Sequence, residues 1–135
     1  MGDRANIAVQ SRGERVYFYT HWSGSDVPEI VRSALERNER WDDPSYLARI
    51  IFCRLVRGDE TGETGYGIST KPGDNQHPIF VVDCDTKTVT VEPDRRKEFG
   101  HCHVRGVAKA MTFGDYAALE EAEWGTLDTG RVEED

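Results

Sequence analysis

The side chains best suited to chemistry lie together in Val16-Tyr17-Phe18-Tyr19-Thr20-His21-Trp22. Aromatic rings with polar tips can line a ligand pocket, stack on a base or anchor an interface. In an extended chain Val16, Phe18, Thr20 and Trp22 share one face, while Arg15, Tyr17, Tyr19 and His21 share the other. The first face suits a core. The second has a plainer reading, a half-buried strand, because aromatic residues favour strands anyway. His21 has no nucleophile tied to it by a motif, so it makes a poor catalytic base. Tyr66, in Gly65-Tyr66-Gly67-Ile68-Ser69, adds one more ring.

Arg54 and Arg57 supply the complementary charge. On a helical wheel Arg54 falls between Leu47, Ile50 and Ile51, at the centre of an apolar stripe. An unpaired guanidinium there is costly, so it must reach a carboxylate, an anionic ligand or water. It also lies in a last helical turn, where a cation suits the helix dipole and a long stem can snorkel. Structural pairing is therefore the plainer account and an anion site the sharper one. In the sharper one, Tyr19 or Trp22 stacks a base while Arg54 or Arg57 pairs a phosphate.

Other constellations fall short. Gly62-Glu63-Thr64-Gly65-Tyr66-Gly67 lacks the Gly-Lys-Ser/Thr ending of a phosphate loop, and turn glycines explain it better. His101, Cys102 and His103 would alternate sides in a strand and not converge on a metal. His77 and Cys84 have no ligand spacing. Asp83 and Asp85 flank a tight turn, where aspartate is common. Arg95-Arg96-Lys97 reads as a solvated turn. No metal and no cofactor is implied.

The elements that must position these groups follow from pattern. Ala5 to Gln10 and Arg15 to Trp22 read as a hairpin around a Gly-containing turn. Asp26 looks like the N-cap of an amphipathic helix with Val27, Ile30, Val31, Ala34, Leu35 and Trp41 on its apolar side. Asp43-Pro44 opens a second helix, running to Arg57 and stopped by Gly58. Gly65 to Ser69 predicts a short strand. Ile79 to Val82 is apolar on both faces and predicts a central strand. Thr88 to Glu92 returns from it, and Phe99 to Val104 could form another strand. Thr112 opens a last helix to about Trp124. The order is ββααβββα: an α+β domain over residues 1–124, with an antiparallel sheet of about five strands and a helix pair on one face. Strands and helices do not alternate, which argues against a doubly wound nucleotide fold.

Composition bounds the rest. The chain has 135 residues, and 37% hydrophobic with 10% aromatic content supports one globular domain. No apolar run approaches the roughly 20 residues needed to span a bilayer. Three cysteines at wide spacing and no leader-like start point to a reducing, cytoplasmic setting. The net charge of -8 argues against direct nucleic-acid binding. Residues 115–135 hold eight acids against Arg131, so residues 1–114 are nearly neutral. Residues 125–135 read as an acidic tail.

The segments from Val16 to Trp22, Trp41-Asp42-Asp43-Pro44-Ser45-Tyr46-Leu47-Ala48-Arg49-Ile50-Ile51-Phe52, Thr64 to Ser69 and Val81-Val82-Asp83-Cys84-Asp85 resemble a family of small proteins carried by phages, prophages and prokaryotic genomes. The resemblance covers residues 3–92 and resumes near Thr112-Phe113. It implies a phage-associated context and no activity. With Tyr17, Tyr19, His21, Trp22, Arg54, Arg57 and Tyr66 as candidate ligand residues, the leading expectation is a non-enzymatic binding protein. It would antagonise a host defence by sequestering a nucleotide-type signal or by masking a host protein. The alternatives are a homo-oligomeric interaction module and a small hydrolase using His21 with an aspartate.

Overall fold

The hairpin forms around two residues, Arg12 and Gly13, both left-handed at φ 55° and 79°. That conformation matches the twist of the flanking strands, and glycine adopts it without steric cost. The Asp85 carboxylate accepts the Arg12 N–H at 2.7 Å and holds the turn from outside. Strands β1 (Ala5–Ser11) and β2 (Glu14–Thr20) result. The computed structural model describes residues 2–37, 40–73, 75–92 and 111–118.

A 3-10 turn at Gly24–Asp26 leads into α1 (Val27–Glu36). Asp26 precedes the helix as expected, but its side chain caps nothing. Helix α1 ends before Trp41. That indole instead folds back to donate to the Leu35 carbonyl at 3.2 Å. Helix α2 (Pro44–Leu55) is capped as its sequence implies, with Asp43 accepting the Tyr46 N–H at 3.3 Å. Strands β3 (Tyr66–Ser69), β4 (Ile79–Asp83), β5 (Thr88–Glu92) and β6 (Met111–Thr112) follow. Thr112 caps the short helix α3 (Phe113–Ala117) by accepting the Asp115 N–H. The expected strand at 99–104 and the helix extension beyond 118 lie outside the described residues.

The α+β class holds, with two corrections. The sheet has six strands in the order β3-β2-β1-β4-β5-β6. It is mixed, not antiparallel, because β1 and β4 run parallel. The chain leaves β2, lays α1 and α2 over the sheet, adds β3 outside β2, then crosses back to place β4 beside β1. The apolar run Ile79–Val82 is accordingly central, flanked on both sides.

Ile7, Val9, Phe18, Phe80, Val82 and Val89 face the helices and meet Val31, Leu35, Leu47, Ile51, Leu55 and Phe113 in the main core. Tyr116 docks α3 by donating to the Pro28 carbonyl at 2.8 Å, and burial pushes its phenol far up in pKa. On the opposite face Ala8, Ile79 and Val81 form a smaller buried cluster with Tyr17 against it. Arg15 crosses this face to grip Glu92 with two bonds of 2.9 and 2.6 Å. That pairing raises the Arg15 pKa against the effect of burial.

An aromatic row and an arginine hollow as candidate functional sites

Alternation along β2 carries Tyr17, Tyr19 and, just beyond the strand, His21 to the face away from the helices. Tyr17 is engaged locally, since its hydroxyl accepts from Arg15 at 3.2 Å. Tyr19 and His21 touch through hydroxyl and Nδ1 at 3.2 Å. His21 meets Trp22 edge-on at 5.5 Å, and Trp22 meets Tyr66 edge-on at 5.8 Å. The Tyr66 hydroxyl then donates to Asp59 at 3.3 Å. Four of the seven candidate residues therefore form one continuous row.

Backbone presses closely on that row. A Cβ at Gly2 would stand 2.9 Å from the His21 imidazole, one at Gly73 would stand 3.0 Å from the Tyr19 ring, and one at Gly65 would overlap the Trp22 indole. Tyr19, His21 and Tyr66 are thus partly covered, and Trp22 alone of the four is exposed, at 49%. Trp22 belongs by alternation to the core face. It departs from it because the strand has ended by Thr20, whose side chain caps the turn by accepting the Trp22 and Ser23 N–H groups.

Gly73 and Asn75 are pinned beside this row by Asn6, which is wholly buried. Asn6 donates to the Gly73 carbonyl at 3.2 Å and to the Asn75 side-chain oxygen at 3.1 Å. It accepts the Gly73 N–H at 2.9 Å. Next to it Asp3 binds His77 Nε2 at 2.6 Å and accepts the Ser25 N–H at 2.8 Å. Burial works against the Asp3 charge, but these bonds outweigh it and hold the carboxyl below its ordinary value. Asp3 and His77 staple the chain start to the loop before β4.

Arg54 and Arg57 lie elsewhere, in an open hollow of about 370 Å³ lined by Arg37, Arg49, Ile50, Cys53, Arg54, Arg57 and Glu60. None of the four aromatic residues lines it. The buried row of α2 is Leu47, Ile51 and Leu55, each four residues apart. Arg54 therefore sits half-buried on the flank beside Ile50, not at the centre of the apolar stripe. The wheel misplaced it because α2 is apolar around most of its girth, so no single centre was defined.

Among the described residues, Arg49, Arg54 and Arg57 make no ion pair and no side-chain hydrogen bond. Arg49 and Cys53 are four apart and share one row of α2, and Arg57 lies just past its C-terminal end. The four-residue step from Arg49 to Cys53 and on to Arg57 is the sequence signal for Arg49. Cys53 is exposed within this row, whereas Cys84 is buried with its thiol pushed up to about 11 by desolvation and then by Asp83 and Asp85. A second hollow of about 510 Å³ lies at Arg40, Trp41, Asp42, Asp43 and Lys87. Its charges are already engaged: Lys87 pairs with Asp42 at 3.1 Å, and Arg40 lies over the Tyr46 ring at 4.6 Å.

Asp83 and Asp85 are turn residues, Asp83 accepting the Asp85 and Thr86 N–H groups. Among the described residues no three His, Cys, Asp or Glu side chains converge on a metal position. His101, Cys102, His103 and Arg95-Arg96-Lys97 lie outside the described residues. No described helix is long and apolar enough to cross a membrane. Comparison with protein-family models, with curated proteins and with solved structures gives no match.

Proposed function

We propose that this protein is a non-enzymatic binding protein whose arginine hollow holds the phosphate of a nucleotide-type small molecule. One observation carries the reading: Arg49, Arg54 and Arg57 line one hollow without an acidic partner among the described residues. Around this hollow the arginines outnumber Glu60, and a bound anion offsets that surplus positive charge. Arginine presents a planar fork of donors that suits phosphate oxygens. It stays protonated at all ordinary pH, so it retains an anion without exchanging protons with it. That favours binding over turnover. The resemblance to phage-borne proteins supplies the context of the proposal, a phage-side sink for a host nucleotide signal.

Calorimetric titration with pyrophosphate, mononucleotides and cyclic dinucleotides at low salt tests it. Binding should weaken as salt rises. Arg54→Ala and Arg57→Ala should each cost about tenfold in affinity, from about 1.4 kcal/mol per lost charged contact. A wild-type protein that binds none of these at millimolar concentration refutes the reading. So does a double variant that binds as tightly as wild type.

A further inference from the structure

We infer that Glu60 selects the ligand of the arginine hollow by accepting a pair of neighbouring neutral donors, the N–H groups of a guanine edge or the hydroxyls of a ribose diol. The inference rests on the reading of the hollow as a phosphate site and adds what the rest of the ligand must carry. Two acids follow α2, and the structure sends them to different places. The Asp59 N–H donates to the Val56 carbonyl at 2.8 Å, and the Gly62 N–H donates to the Asp59 carbonyl at 3.0 Å. These bonds hold the backbone on both sides of Glu60. Asp59 turns its carboxylate to the Tyr66 hydroxyl at 3.3 Å. Glu60 instead lines the arginine hollow, as the one acid among the described residues there.

Glu60 shares that hollow with Arg37, Arg49, Arg54 and Arg57, yet it forms no ion pair and no side-chain hydrogen bond among the described residues. Elsewhere in the fold, acids close on their arginines: Glu92 reaches Arg15 at 2.6 Å and Glu29 reaches Arg32 at 3.0 Å. The hollow therefore keeps its carboxylate apart from its guanidinium groups, with about 370 Å³ of space for a ligand to touch both.

Charge decides what Glu60 can take. An ionised carboxylate only accepts hydrogen bonds. An amine or a metal ion would have to enter a hollow where four arginines outnumber one acid, and like charges oppose it. A neutral N–H or O–H meets no such opposition. Two of them side by side match the two carboxylate oxygens, and bonds to an ionised acceptor are the strong ones. Guanine offers a ring N–H beside an amino group, and ribose offers adjacent hydroxyls of the kind that acids bind in dinucleotide sites. The adenine edge sets an acceptor beside its amino group and does not fit. The ligand thus presents an anion to the arginines and a donor pair to Glu60, which inorganic phosphates lack.

Calorimetric titration of the wild-type chain and Glu60→Gln tests this, with pyrophosphate and with guanosine and adenosine monophosphates in ribo and deoxy forms as probes. Glu60→Gln should weaken the nucleotides that carry the donor pair by about tenfold or more. Pyrophosphate should bind the variant as tightly as wild type or more tightly, because a negative charge has gone. A loss confined to the two guanosine forms identifies the guanine edge; a loss confined to the two ribo forms identifies the diol. A loss for all four nucleotides or for none overturns the inference and leaves the phosphate reading standing. Equal weakening of pyrophosphate, or pyrophosphate binding without nucleotide binding, does the same. A wild-type protein that binds neither pyrophosphate nor any nucleotide overturns both.

Discussion

Replacing Asn6 by aspartate changes one atom type and no shape, yet the structure makes it a severe substitution. The Asn6 amide donates to the Gly73 carbonyl and to Asn75, and accepts the Gly73 N–H. An ionised aspartate at this position keeps the acceptor and loses both donors. It also turns a buried negative oxygen toward two acceptors. Two lost bonds at about 1 kcal/mol each, plus the desolvated charge, give a cost of about 3–5 kcal/mol at neutral pH. For a domain this size that is a fall in Tm of about 10 °C or more. The sign with pH is fixed. Burial raises the folded pKa of the new carboxyl above its unfolded value near 3.9, so the folded state holds the proton longer. The penalty therefore grows as pH rises above the unfolded value and levels off above the folded one. Protonation also restores one donor. Urea unfolding of Asn6→Asp and wild type at pH 5 and pH 8 measures the difference. Loosening of the loop should speed hydrogen exchange at the Gly73 amide, whose N–H Asn6 accepts. Equal stability at pH 8, or a difference independent of pH, would refute this account of the loop.

Two more perturbations follow from local geometry. Gly65 has φ 98° and lies against the Trp22 ring, so Gly65→Ala should cost about 2 kcal/mol or more and alter the near-ultraviolet dichroism of the indole; unchanged melting would contradict the packing. In a Cys102→Ser background, an anionic disulfide reagent should modify Cys53 rapidly and in a salt-dependent way, while Cys84 reacts only on unfolding. Because the folded Cys84 thiol is raised from 9.0 to about 11, its contribution to stability is complete below pH 9.0 and is lost as pH rises toward 11. Cys84→Ser should remove that slope, which denaturant titrations across the range would read.

The elements were legible where one residue type dictates one geometry. Arg12-Gly13, Asp43-Pro44 and Thr112 announce a turn and two caps by local chemistry, and the structure has them there. The run Ile79–Val82 could only be central, since both faces are apolar. Partner choice was not legible: nothing in the alternation of β1 shows that Ile7 lies beside Phe80, since periodicity fixes a face and not a neighbour. The candidate residues divided for a similar reason. Spacing within β2 placed Tyr19 and His21 on one face correctly, but whether α2 turned Arg54 toward them depended on packing across elements. Glycine close approaches at the aromatic row were invisible too, because a loop residue such as Gly73 has no sequence relation to Tyr19.

The parallel pairing of β1 with β4 also orders events in time. Gln10 and Asp83 touch across 73 positions of chain, with a hairpin, two helices and β3 between them. Closing so long a loop costs entropy before any contact repays it, which slows folding. On the ribosome only the β1–β2 hairpin has its partner early. Until Ile79–Asp83 emerges, the inner edge of β1 stays open, so the nascent chain must carry an unpaired strand through more than half of its synthesis.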